Sequence, residues 1–161
     1  MKIIFFIIFL TSNVYSETII GKDSGNPIPR FVSLKSNETN LRIGPSTNYP
    51  IILQYSYKNI PIMVIDEFDK WRKVIDFENN EGWIHLSLLS SKRFGITIFK
   101  NNEFINIFKN PEKDIIGQIG SRNIVELNKC LSYWCHIKIE KYKGWVKKTD
   151  LWGVFKDENF D

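Results

Sequence analysis

The strongest constraint on this chain is an internal repeat. Asn40-Leu41-Arg42-Ile43-Gly44-Pro45, with Trp71 and then Glu81-Gly82-Trp83-Ile84 downstream, returns as Asn106-Ile107-Phe108-Lys109-Asn110-Pro111, Trp134 and Lys143-Gly144-Trp145-Val146. Pro111 follows Pro45 by 66 residues, Trp134 follows Trp71 by 63 and Trp145 follows Trp83 by 62, a nearly constant period that shortens by loop deletion. Self-similarity on this scale means two copies of one small unit. Units of about 55 to 65 residues fold alone but marginally, so the copies gain from packing together.

Each copy reads as β. Phe31-Val32-Ser33-Leu34-Lys35 alternates apolar and polar residues, the period of a half-buried strand. The runs from Ile51 to Tyr55, Ile60 to Ile65 and Trp71 to Asp76 are β-branched and aromatic, and Asn, Asp and Lys clusters cut them apart. Gly44-Pro45 ends the strand that begins at Asn40, since proline lacks an amide donor and disfavours helix before it. Leu86 to Leu89 is a single helical turn or a strand end. The second copy runs through Phe94 to Phe99, Ile115 to Ile119 and Ile124 to Leu127, and closes with Trp145-Val146 and Leu151-Trp152. The expected fold is all-β, two tandem small barrels.

Residues 1–16 have the three-part form of a cleavable signal peptide: Lys2, the apolar run from Ile3 to Leu10, and a polar end at Val14-Tyr15-Ser16. The apolar run is far short of the roughly 20 residues of a membrane span, so no stable membrane anchor is expected. Residues 17–30, with Gly21, Gly25, Pro27 and Pro29, read as a mobile extended lead-in. The barrels are expected over 31–90 and 94–154, joined by Ser90 to Arg93 in a nearly fixed orientation, and 155–161 as a frayed acidic tail. The formal charge of +4 comes from interspersed lysines and arginines, without the block that would mark a nucleic-acid patch.

Cys130 and Cys135 are the only cysteines, an even count in a chain that reads as exported, and hence a disulfide. They flank a turn from Leu131 to Trp134, across which two Cα atoms come within the ~4.4 to 6.8 Å a disulfide tolerates. A redox dithiol is the competing reading, but four residues separate them where redox motifs have two. His85 and His136 are lone histidines in separate copies, without partners at metal-ligand spacing. His136 adjoins Cys135, but neighbours on a strand point to opposite faces, which disfavours a Cys-His dyad. No metal, cofactor or catalytic group is expected.

The motifs Asn40-Leu41-Arg42-x-Gly44-Pro45, Trp71-Arg72-Lys73-Val74 after an acidic turn, and Glu81-Gly82-Trp83-Ile84-His85 resemble the bacterial SH3-like domain family. Copy two departs from the pattern, with Phe108 and Asn110 in place of Arg42 and Gly44. The stretches Pro29-Arg30-Phe31-Val32 and Leu151-Trp152-Gly153-Val154 further resemble an alphaproteobacterial group of exported proteins with two such domains. The resemblance implies strongly bent barrels of five to six strands and a binding or targeting role in the bacterial envelope, periplasmic or secreted. Peptide, peptidoglycan or an envelope protein is then the expected partner, and the sequence does not specify the oligomeric state.

Arg42, Tyr49, Tyr55, Tyr57 and Trp71 are the candidate ligand-binding residues of copy one. Arg42, held before Gly44-Pro45, suits a carboxylate, either a ligand's or an internal one on Glu81 or Asp66. Loop tyrosines supply contact area at little ordering cost. Trp71 and Trp83 lie in strands, where filling the barrel core or covering its edge is the leading expectation and ligand contact the alternative. The function expected is a non-catalytic binding or adaptor protein, with a structural assembly subunit of an envelope complex, or less readily a thiol enzyme, as alternatives.

Overall fold

Short β-branched and aromatic runs alternate with tight turns, and the described residues fold almost wholly as strands joined by turns. The computed structural model describes residues 19–98 and 104–161; the expected signal peptide lies outside the described residues. A short hairpin, β1 (Ile19–Ile20) and β2 (Pro27–Ile28), precedes the first unit. That unit contains β3 (Arg30–Leu34), β4 (Thr39–Arg42), β5 (Ile51–Tyr55), β6 (Pro61–Phe68), β7 (Trp71–Ile75), β8 (Glu81–His85) and β9 (Leu89–Ser90). The second contains β10 (Phe94–Thr97), β11 (Ile105–Asn110), β12 (Lys113–Ile119), β13 (Ile124–Leu131), β14 (Trp134–Ile139), β15 (Tyr142–Lys147) and β16 (Leu151–Trp152). The 3₁₀ turn Leu86–Leu88 precedes β9, and Lys148–Asp150 precedes β16.

The strand orders, β5-β4-β8-β7-β6-β3-β9 and β12-β11-β15-β14-β13-β10-β16, are the same topology twice. Each is a seven-stranded antiparallel sheet, more segments than the five to six expected because the two-residue β9 and β16 also pair. Bulges recur at equivalent places, between Leu41 and Arg42 and between Val64 and Asp66 in one unit, Ile107 and Phe108 and Leu127 and Lys129 in the other. Bulges raise the local twist, which curls an open sheet toward a barrel. The curl brings β4 across β8 at one bridge, Arg42 opposite Trp83, and β11 across β15 at Phe108 opposite Trp145. Only glycine fits beneath that crossing. A Cβ on Gly82 would lie 2.7 Å from the Arg42 carbonyl, and one on Gly144 would run into the Ile107 side chain and lie 2.9 Å from the Phe108 carbonyl.

Leu34, Leu41, Ile62, Val64, Val74 and Ile84 fill the first core; Ile107, Val125, Leu127, Ile137 and Val146 fill the second. Between the barrels, the Phe31 ring meets Trp152 edge-on at 5.0 Å and Phe155 at 4.7 Å. Phe77 also faces Trp152, and Arg122 lies over Phe77 and pairs with Glu78 at 3.0 Å. The two stretches around Phe31 and Trp152 thus meet in the contact between units.

The far ends of the long hairpins are held differently. In the β13–β14 hairpin Cys130 lies opposite Cys135, and the two form the expected disulfide. Their Cα atoms are 4.1 Å apart, just under the expected range. Cys130 turns its N–H and C=O outward to Phe160, so the pair is the narrow, non-hydrogen-bonded kind. In the β6–β7 hairpin the same register position holds Glu67 opposite Arg72. The Glu67 carboxylate, 1% exposed, meets Arg30 at 2.9 Å and Arg72 at 3.4 Å.

Two expectations are corrected here. The lead-in is not a mobile linker: the β1–β2 hairpin caps Glu67, whose carboxylate accepts from Ser24 Oγ at 2.6 Å and from the Ser24 and Asp23 amides. The tail is not frayed. Phe160 bridges Cys130, Glu158 pairs with Arg93, and the buried Lys148 ammonium donates to the carbonyls of Glu158 at 2.6 Å and Lys156 at 3.2 Å. Burial lowers the Lys148 pKa, against the opposing pull of Glu158 and Asp157. Short polar segments looked unpartnered in sequence because their partners lie far along the chain.

Burial alone would raise the Glu67 pKa, but hydrogen bonds from Ser24 and Arg30 and the charge of Arg72 outweigh it and hold the carboxyl below its ordinary 4.5. Its contribution to stability is therefore complete above the unfolded value and is lost as the pH falls below it. Glu67→Gln is expected to lose about 3 kcal/mol at pH 7 in urea unfolding, as for a broken buried pair. The variant should also destabilise less than the wild type between pH 5 and about 3; parallel pH profiles would contradict this role.

Candidate functional site

The loop after β4 uses Arg42 for itself. Its guanidinium donates to the Tyr49 carbonyl at 2.7 Å and the Thr47 carbonyl at 3.1 Å. Glu81 pairs instead with Lys73 at 2.6 Å, so the expected internal carboxylate partner is corrected to a pair of loop carbonyls. The Tyr49 ring lies on Gly44, where a Cβ would stand 2.6 Å from it, which explains the glycine. The loop is a folded knob with Tyr49, Ile43, Ile51 and Ile52 exposed around it. In copy two the loop is deleted, and β11 turns directly into β12 with Asn110 opposite Lys113.

The five candidate residues do not share one face. Tyr55 is corrected to the core: it is 8% exposed and donates to Asp76 Oδ2 at 3.0 Å. Burial first, then the Asp76 charge, pushes its phenol above the ordinary range. Asp76 also accepts from the Glu78 and Asn80 amides, closing the β7–β8 loop that carries Phe77 and Glu78 to the second barrel. Trp71 is half-buried and meets His85 edge-on at 5.3 Å, while the His85 ring caps the following turn through Ser87. In copy two Trp134 is buried beside Phe108. Burial, then the Lys143 charge, lowers the His136 pKa. Among the described residues no three His, Cys, Asp or Glu side chains gather to hold a metal ion.

Tyr57 stands apart from the rest. It is 70% exposed and, with Lys58 and Asn59, forms one wall of a groove of about 480 Å³ between the barrels. The opposite wall comes from barrel two: Phe94 on β10, Ile124 and Glu126 on β13, and Lys138 and Ile139 on β14 with Glu140 beyond it. Residues from both units therefore make one surface that combines aromatic and aliphatic side chains with charges of both signs. This wall went unread in the sequence, where Phe94, Ile124 and Ile139 fit a barrel core equally well. The one signal available was that Phe94 directly follows the short connection between units.

The sequence matches the bacterial SH3 domain family over residues 35–91 and again over 102–153. The chain belongs to that family, as two tandem copies. No curated protein matches it. Among solved structures it is similar to NlpC2 from Trichomonas vaginalis, at 15% identity and a TM-score of 0.36, over 81% of this chain and 50% of that one. NlpC1 from the same organism is similar at 14% identity and a TM-score of 0.33, over 82% and 48%. The chain thus spans about half the length of either protein.

The core assignment of Tyr55 has a direct consequence. Tyr55→Phe strips Asp76 of one buried donor and is expected to cost about 1 to 3 kcal/mol in urea unfolding. Ligand retention by the folded variant should be unchanged; retention lost without loss of stability would return Tyr55 to the binding face.

Proposed function

We propose that this protein is a non-catalytic binding or adaptor protein of the bacterial envelope, exported to the periplasm or beyond, that lays an extended peptide in the groove between its barrels. Membership of the bacterial SH3 domain family points to a binding or adaptor role. The single observation that carries the finer reading is the groove itself: Tyr57 faces Phe94, Ile124 and Ile139 across the junction. Exposed aromatic rings beside aliphatic side chains and mixed charge suit a chain of amides with alternating side chains. Cys130 and Cys135 are fully buried and joined to each other, which supports an oxidising compartment and leaves neither as a free thiolate.

A second reading, an assembly subunit, draws support from the outer strands. Ile51 and Ile52 on β5, and their counterparts Ile115 and Ile116 on β12, are exposed on the edge of each sheet, where unpaired backbone invites another strand.

The mature chain, beginning at Glu17, is expected to be retained on insoluble peptidoglycan or on extended peptides cleaved from envelope proteins. Tyr57→Ala should weaken that retention about tenfold, the loss of roughly 1.4 kcal/mol typical of an aromatic anchor. Retention equal to that of an unrelated barrel on both supports would overturn the binding reading. A single protein adduct in periplasmic crosslinking that survives Tyr57→Ala would favour the assembly reading.

A further inference from the structure

The repeat supplies an internal control, because each position in barrel two has a counterpart in barrel one. At one end of the barrels the counterparts differ in kind. In barrel one Leu53 lies opposite Leu41 and packs on the core, and Tyr55, Asp76 and Asn80 close the end with hydrogen bonds. In barrel two the residue opposite Ile107 is Gly117, and Ile119, Ile139 and Tyr142 stand where Tyr55, Asp76 and Asn80 stood. The polar closure has become apolar, and the side chain that filled the end is missing.

A cleft of about 340 Å³ results, lined by Ile107, Ile116, Gly117, Ile119, Ile139 and Tyr142. Gly117 is not a glycine the fold requires. A Cβ there would meet nothing within 4 Å, and its backbone is not left-handed, in contrast to the crowded Gly144. A glycine inside a strand marks a bulge, a bend or the close approach of another group. Leu53 holds the same place at the equivalent bulge of barrel one, so the bulge does not require Gly117, and close approach is the reading left. The cleft shares Ile139 and Glu140 with the groove between the barrels, so the two adjoin.

The charge at the rim has changed as well. Where barrel one pairs Lys73 with Glu81, barrel two places His136 and Lys143. Among the described residues Lys143 has no carboxylate partner, and Lys141 beside it lies over the Tyr142 ring. Glu140 is the one acidic residue lining the cleft. Of the two lysines only Lys143 lines the cleft, one charge against that of Glu140, and among the described residues it stands without an ion pair where barrel one has Glu81; an acidic group on the visitor would supply that partner.

We propose that this cleft is a specificity pocket for a protein segment that carries one leucine-sized apolar side chain next to an acidic residue. The inference rests on the groove reading above and names the partner's chemistry: the visitor supplies what Leu53 supplies in barrel one. It favours a protein strand over a cell-wall stem peptide, whose side chains are short or charged. The volume is at the small end for ligand sites, enough for one or two side chains.

The test is a titration of the full mature chain, followed through isoleucine methyl NMR signals, with the synthetic peptide Ser-Asp-Leu-Asp-Ser and two counterparts, one with alanine for leucine and one with lysine for aspartate. The expected result is shifts at Ile107, Ile116, Ile119 and Ile139 with the leucine peptide, weakened at least tenfold with either counterpart. Gly117→Leu, which refills the cleft, should abolish the shifts while leaving the melting temperature equal or higher. Lys143→Glu, a surface change that keeps the fold, should reverse the preference toward the lysine peptide. Absence of shifts in the wild type, or equal shifts with the alanine peptide or in Gly117→Leu, overturns the pocket. Peptidoglycan retention that is sensitive to Tyr57→Ala but not to Gly117→Leu, with no peptide shifts, overturns the pocket while the groove reading stands. Leucine-peptide shifts in a chain that peptidoglycan does not retain support the pocket and exclude the wall as the partner.

Discussion

Everything in this structure depends on one steric constraint, the crossing of two strands over a glycine. Where β4 passes β8, and β11 passes β15, the backbones approach so closely that a methyl group on Gly82 or Gly144 would overlap a carbonyl or a side chain of the other strand. That approach lets a sheet bent by its bulges fold back on itself and bury Leu41 with Ile84, and Ile107 with Val146. The tryptophan after each glycine sits opposite Arg42 or Phe108 at the single bridge of the crossing. The Gly-Trp pair in each copy is thus a signature of closure.

Given a closed frame, the two copies differ in how they fill it. The end of the long hairpin is held by Glu67 and Arg72 in one barrel and by Cys130 and Cys135 in the other. The chain termini complete both solutions: the β1–β2 hairpin donates to Glu67, and the tail pairs with Cys130 and is gripped by Lys148. A buried charge is costly unless its hydrogen bonds are filled, so barrel one needs its lead-in; a disulfide has no such need, and there the tail covers a sheet edge. The other end of the frame is closed by Tyr55 and Asp76 in barrel one and left as an apolar cleft in barrel two.

The repeat, the fold class and the disulfide were legible in the sequence because each rests on local spacing: glycine before tryptophan, alternating strand residues, two cysteines around a turn. The anchoring role of Glu67 was not, since its partners Ser24 and Arg30 are separated from it by more than thirty residues and nothing local distinguishes it from Glu78 or Glu81. Tyr55, at the end of a strand run, read as a binding-face candidate together with Tyr49 and Tyr57, yet it points into the core, where it donates to Asp76. Of the candidate site only Tyr57 lies on the groove; Arg42 is occupied by its own loop, and the opposite wall consists of residues that look like core in any strand. The substitution of Gly117 for Leu53 was present in the repeat, but its meaning required knowing that no strand crosses there.

The proposed binding face runs from the barrel junction to the open end of barrel two and does not include the knob formed by Arg42 and Tyr49. Site-specific photocrosslinking in living cells tests it directly, with a photoreactive amino acid placed in turn at positions 49, 57 and 116. Shared adducts from 57 and 116, with none from 49, are the predicted result. Adducts from 49 alone would contradict it and move the functional face to the loop of copy one.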